Sequence, residues 1–249
     1  VRDQYAGDVS DFLKFAILRS LACDSRLAVW WYFVAGNDGR PDGRHKEWTK
    51  SIDHASLDPG LFEVLRTFAQ QENRTVRGLE QLQLLPSHTA YFPSGDEYEA
   101  EQVPAAQHRV KWRAKKWENT RDCSFFFLDP DNGVHLVDRQ FSRKHVHFSD
   151  IRFLLDNGKD LCYITFPHRG NSHVEQLRMK HAALSSITKK KVTTLRTVVH
   201  VPTKNSKGTS PRTRWFTIVT DDPCKLAALT NLAIAISALP KMKASIYPG

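Results

Sequence analysis

The chain has 249 residues, 41% hydrophobic and 25% charged, an ordinary globular composition that excludes collagen-like, low-complexity and disordered chains. No run of about 18 apolar residues occurs, which excludes a membrane-spanning helix. The formal net charge of +9 is uneven, with −5 on residues 1–103 and +14 on residues 104–249. A basic half of that size attracts polyanions; the plainer reading is a solvated basic surface.

No basic-then-apolar leader is visible, and because the chain opens on Val1 a short leading segment is expected to be missing. Cys23, Cys123, Cys162 and Cys224 are widely spread without a CxxC pair. That argues against structural zinc and a disulfide framework and fits a reducing cytoplasm.

In chain order, the pattern predicts a helix over Val9–Cys23, with Asp8 and Ser10 as capping candidates. Leu27–Val34 is unbroken, aromatic and β-branched, as a buried central strand should be. A polar loop with Gly36, Gly39 and Gly43 follows. Helices are predicted over Pro59–Asn73 and near Leu79–Leu85, and a short strand over Thr89–Phe92. A long charged helix spans Glu97–Trp117, restarted at Pro104. Ser124–Leu128 is an apolar strand ending at Asp129. Phe148–Leu155 reads as a helix, Leu161–Phe166 as a strand and Ser172–Ser186 as a helix. Val192–Val201 and Trp215–Thr220 read as an antiparallel pair, and Lys225–Leu239 as a closing helix.

Strands alternating with helices predict a single α/β domain over 1–249. Its sheet is doubly wound and mostly parallel with helices on both faces, Rossmann-like, and carries an antiparallel hairpin at one edge. Ligands of such sheets bind beyond the carboxyl ends of the strands. The loops after Val34, Leu128 and Phe166 are therefore the places to look.

The strongest of these is Phe125-Phe126-Phe127-Leu128-Asp129-Pro130-Asp131-Asn132-Gly133. An apolar strand delivers two carboxylates and an amide into a loop restrained by Pro130. Asp129 and Asp131 are close enough to perturb each other, so that one stays ionised while the other holds a proton. An Asx-type turn is the structural alternative.

In Tyr5-Ala6-Gly7-Asp8-Val9-Ser10-Asp11-Phe12-Leu13-Lys14, two acids and a lysine surround a helix start. Lys14 either brings positive charge to a ligand at the helix N-terminus or simply pairs with Asp11. Gly36 and Gly39 form a glycine turn that lacks the full GxGxxG pattern. His168 and Arg169 leave the Phe166 strand; an imidazole there can exchange protons near neutrality, and a guanidinium suits phosphate.

For nucleic acid, the candidates are Arg109, Lys111, Trp112, Arg113, Lys115 and Lys116, then Lys189 and Lys190, then Lys204, Lys207, Arg212 and Arg214. Basic side chains track phosphates and an aromatic stacks on a base; the alternative is that Trp112 is core. His145 and His147 are two apart, but no HExxH or other trusted ligand set occurs, so no metal is expected.

These motifs resemble the large-subunit ribosomal RNA adenine-N6 methyltransferases. Tyr5-Ala6-Gly7-Asp8 through Asp11-Phe12-Leu13-Lys14 is similar to that family's AGN-x-ADVLKH segment. Val34-Ala35-Gly36-Asn37-Asp38-Gly39 sits where it carries HAGAG, and Leu128-Asp129-Pro130-Asp131 where it carries LDPPY. The order holds over residues 5–185. The resemblance implies a Rossmann-like methyltransferase fold and a base-handling site around Asp129. With S-adenosylmethionine as cofactor, Gly36 and Gly39 would cradle it and Asp129 would accept the target amine.

Asp131 and Asn132 nevertheless stand where the family has Pro and its base-stacking Tyr, and Asn37-Asp38 replace the close-packed Ala-Gly. These departures point to a retained fold with changed chemistry.

The leading expectation is a cofactor-free, glycosylase-like hydrolase on DNA rather than RNA, of the kind that excises modified bases in defence against phage. It extrudes a nucleotide and cleaves its N-glycosidic bond. Asp129 or Asp131 activates water or stabilises the sugar cation, Asn132 and Asp8 orient the base, and Lys14 or His168 protonates it. The alternatives are an S-adenosylmethionine-dependent methyltransferase, a magnesium nuclease using Asp8, Asp129 and Asp131, and a non-catalytic binder.

Overall fold

A computed structural model describes residues 1–36, 46–93, 109–135, 144–168, 170–202 and 209–249. Gly39, Arg169, Lys204 and Lys207 lie outside the described residues, as do the predicted helical stretch 97–108 and the loop of residues 37–45.

The helices are α1 (Val9–Ala22), α2 (Ile52–Leu57), α3 (Pro59–Ala69), α4 (Val76–Gln81), α5 (Arg109–Thr120), α6 (Phe148–Asp156), α7 (His173–Ser185) and α8 (Pro223–Ser237). The main strands are β1 (Leu27–Trp31), β2 (Ala90–Phe92), β3 (Phe125–Asp129), β6 (Asp160–Thr165), β7 (Val192–Pro202), β8 (Thr209–Val219) and β9 (Met242–Pro248). A small parallel pair, β4 (Val134–His135) with β5 (Val146–His147), stands apart.

The main sheet has seven strands in the order β2-β1-β3-β6-β8-β7-β9. β2, β1, β3 and β6 are mutually parallel, and β8 runs antiparallel to both β6 and β7. This is the expected mostly parallel α/β sheet. The hairpin β7–β8 is present, but it turns inward so that β8 lies against β6. The outer edge is β9, a strand the sequence pattern did not announce; Met242-Lys243-Ala244-Ser245-Ile246 is too mixed to read as one.

Alternate residues of each strand serve opposite faces. Val29, Trp31, Phe125, Phe127 and Ile164 pack with residues of α1, α3 and α8. Trp30, Tyr32, Phe126, Leu128 and Tyr163 pack with residues of α5, α6 and α7. Burial on both faces explains why β1 and β3 read as continuous apolar runs.

β1 lies between β2, the strand after it, and β3, the next one. The crevice between the ends of β1 and β3 is thus where the strand order reverses, the position that favours ligands in open α/β sheets. No helix among the described residues is long and apolar enough to cross a membrane.

The described cysteines are free, but Cys23 at the end of α1 and Cys224 at the start of α8 bring their sulfurs to 2.6 Å. Their wide separation in sequence concealed that proximity.

Candidate functional site

Beyond the ends of β3 and β6 lies a half-open cavity of about 270 Å³. Its wall includes Tyr5, Asp8, Lys14, Asp129, Asp131 and Asn132, with Arg212 and Arg214 from β8. β8 is antiparallel, so its early residues reach the same end of the sheet as Asp129, the last residue of β3.

Asp8 caps α1. Its Oδ1 accepts the backbone N–H groups of Ser10 at 2.8 Å and Asp11 at 3.2 Å, as an N-cap aspartate does. The preceding Gly7 has φ +78°, and a Cβ there would stand 3.1 Å from Phe68. Its N–H donates to Asp11 Oδ2 at 2.7 Å. Only glycine meets both the left-handed backbone and the close ring.

Lys14, one helical turn beyond Asp11, donates Nζ–H to Asp11 Oδ1 at 2.8 Å and to Asp129 Oδ2 at 2.6 Å. All three are nearly closed to solvent. Burial alone would discharge the lysine, but the two carboxylates outweigh it and hold its pKa above the ordinary value. For Asp129, burial outweighs the pull of Lys14, so the carboxyl binds a proton more readily than usual. Asp8 is raised from 3.8 to about 6, chiefly by burial and then by the neighbouring charge of Asp11, with Arg214 opposing.

The protonation split expected between Asp129 and Asp131 is therefore built differently. Asp131 is taken by Arg2, whose Nε donates to its Oδ2 at 3.1 Å, and the carboxyl poised near neutrality is Asp8. Lys14, expected to protonate a departing base, is held between two carboxylates that keep its proton in place. Arg2 was overlooked at the sequence level, where nothing but its basic side chain marks it.

Asn132 lies in the wall between this cavity and a second one of about 410 Å³, which also contains Gly133, His135, His145, Thr165, His168 and Lys180. His168, expected to act on the same ligand as Asp129, is exposed on this second cavity and not on the first. Its backbone is clamped by Gln176, which accepts from His168 N at 3.1 Å and donates to His168 O at 2.9 Å.

The basic candidates divide sharply. Arg212 and Arg214 border the first cavity; Arg214 donates Nε–H to Ser10 Oγ at 2.9 Å and lies 4.6 Å from the Phe166 ring centre. Lys111 and Lys115 are exposed on α5. Arg109, Trp112 and Lys116 are buried, and so are unsuited to a nucleic-acid face. Arg109 donates to Asp150 Oδ2 at 2.6 Å, and Arg113, partly buried, approaches the same carboxylate. Lys116 sits 3.7 Å from the Trp112 ring centre.

The alternation of basic and aromatic residues on α5 thus makes core contacts across face-to-core helix positions. Lys189 and Lys190 precede β7 at the sheet end opposite the cavity, and Lys190 pairs with Asp160 at 2.6 Å. No group of three or more metal-ligating side chains occurs among the described residues.

Neither the family models nor the curated proteins give a match to this chain. Among solved structures, it is similar to LPL1258 from Legionella pneumophila str. Philadelphia 1, described by the family model DUF519. That likeness has 14% identity, 98% coverage of both chains and a TM-score of 0.48.

Proposed function

We propose that the chain is a base-excising hydrolase acting on a polynucleotide. The observation that carries this reading is a pair of carboxyl groups in one cavity with different duties: Asp8, raised to about 6, and Asp129, ion-paired at 2.6 Å.

A group with a pKa near working pH serves as general acid. Asp8 protonates the departing base as the C1′–N bond breaks and its electron pair passes to the base. Asp129 stabilises the positive charge on the sugar. Its Oδ2 is committed to Lys14, leaving Oδ1 to take a proton from the water that adds to C1′. That proton returns to Asp8 through solvent. Arg212 and Arg214 supply cations at the mouth for phosphates.

The methyltransferase resemblance implies S-adenosylmethionine at the end of β1. Here Arg2 donates Nη1–H to Gly36 O at 3.0 Å while its Nε–H goes to Asp131. The side chain ties the end of β1 to the loop after β3 across the crevice. An arginine tied across that crevice favours hydrolysis over methyl transfer.

The test is to incubate the protein with plain and base-modified DNA, without cofactor, and analyse products by mass spectrometry. A released base and an alkali-labile strand are expected, falling about 100- to 10,000-fold in Asp129→Asn. Release of no base across a broad panel, or a mass gain of one methyl group with S-adenosylmethionine, would overturn the reading.

A further inference from the structure

Lys180 on α7 is 8% exposed and faces the second cavity. Burial is the sole cause given by its surroundings for a pKa lowered to about 8, with no carboxylate contributing. A buried cation without a counter-charge is unfavourable unless an anion completes it.

Two further polar atoms in the same wall, Thr165 Oγ1 and His145 Nδ1, are buried with no hydrogen-bond partner among the described residues. Buried polar atoms are satisfied in most folded proteins; three unmet groups around one cavity indicate a polar guest. His135 and His168 are the other titratable members of the lining; burial lowers the pKa of His135, with His147 and Lys180 adding to the effect, and burial also lowers His145, to about 4. The imidazoles of His135 and His145 are therefore neutral at pH 7, and Lys180 is the buried cation that sets the sign of the guest.

We propose that the second cavity is a phosphate subsite, in which Lys180 Nζ, Thr165 Oγ1 and His145 Nδ1 receive the phosphate of the nucleotide whose base enters the first cavity. Lys180 provides a charge-assisted donor. Thr165 donates its hydroxyl proton, and His145 donates in the Nδ1–H tautomer. The shared wall at Asn132 and Phe166 lets one nucleotide span both cavities. The assignment of the phosphate to that nucleotide rests on the base-excising reading of the first cavity, but phosphate recognition itself does not.

Calorimetry at pH 7 with inorganic phosphate, a deoxynucleoside 5′-monophosphate and the matching deoxynucleoside tests the proposal without any turnover. The monophosphate is expected to bind at least about tenfold tighter than the nucleoside, the gain of one charge-assisted contact. Lys180→Gln should erase that difference and the binding of inorganic phosphate, while Lys180→Arg retains both. Equal affinity for nucleoside and monophosphate, or phosphate binding that survives Lys180→Gln, overturns it. If the monophosphate binds as expected but DNA loses no base, the subsite stands and the hydrolase reading falls.

Discussion

Lys14 and Lys180 are both more than nine-tenths buried, at 4% and 8% exposure, and they line neighbouring cavities at the same end of the sheet. Lys14 has two carboxylates within 2.8 Å and is held charged. Burial draws Lys180 down to about 8 with no carboxylate opposing it. The first cavity thus contains its own counter-charges, around which the proposed acid and base are arranged. The second has a cation whose partner must come from outside. Preorganised charge serves chemistry, whereas an uncompensated charge serves capture.

Removing the lysine from each cavity should break this symmetry in opposite directions. Lys14→Met strands Asp11 and Asp129 together without a cation, and breaking a buried pair this way costs about 3–5 kcal/mol. Urea titration is the check; a midpoint within error of the parent would mean the triad is not the anchor of α1 on β3. Lys180→Met removes a cation held at a loss and should stabilise the protein by about 1–3 kcal/mol at pH 7.

The linkage sign supports that direction. The unfolded chain keeps its lysine proton up to the ordinary 10.5, while the folded chain loses it near 8. Stability therefore rises with pH between those values, a rise Lys180→Met should abolish. Thermal denaturation at pH 7 and 10 measures it.

Asp8 shows the mirror image. The folded carboxyl binds its proton up to about 6, whereas the unfolded one releases it near 3.8. Stability is consequently lost as pH rises through that interval and stays reduced above it. Asp8→Asn preserves the cap on α1, because asparagine caps as well as aspartate. At pH 8 it should gain about 1–2 kcal/mol, and at pH 4 almost nothing, while base release collapses. A variant less stable than the parent at pH 8 would show that the carboxylate charge at position 8 is not held at a loss.

Much of this was legible before the fold. Alternating strands and helices gave the parallel sheet, and Asp129 at the end of an apolar strand marked the cavity. Capping by Asp8 and the Asp11–Lys14 spacing were readable because both are local to one helix turn. What stayed hidden depends on contacts far apart in sequence. The Lys14–Asp129 bond joins residues 115 positions apart, and Arg2–Asp131 joins residues 129 apart.

The basic half misled for a related reason. Net charge counts side chains but not their direction, so Arg109, committed to Asp150, weighed the same as Arg214. In α5, Trp112 and Lys116 lie four residues apart on one buried face, spacing that equally fits a stacking platform.

That division of the arginines gives the smallest effect and a direct test of which cations meet a polynucleotide. Arg212→Ala and Arg214→Ala remove charges at the cavity mouth, and each should lower the slope of log affinity against log salt by about one. Arg214 also stacks on Phe166 and donates to Ser10, so its removal carries a modest stability loss of about 1 kcal/mol, which a urea titration of each variant reads separately from the salt slope. Lys189→Ala, at the opposite end of the sheet, should leave the slope unchanged. Filter binding to a short DNA at several salt concentrations reads all three. A slope that falls for Lys189→Ala and not for Arg212→Ala would move the nucleic-acid face away from the carboxyl ends of the strands, and would separate the basic surface from the cavity it is held to serve.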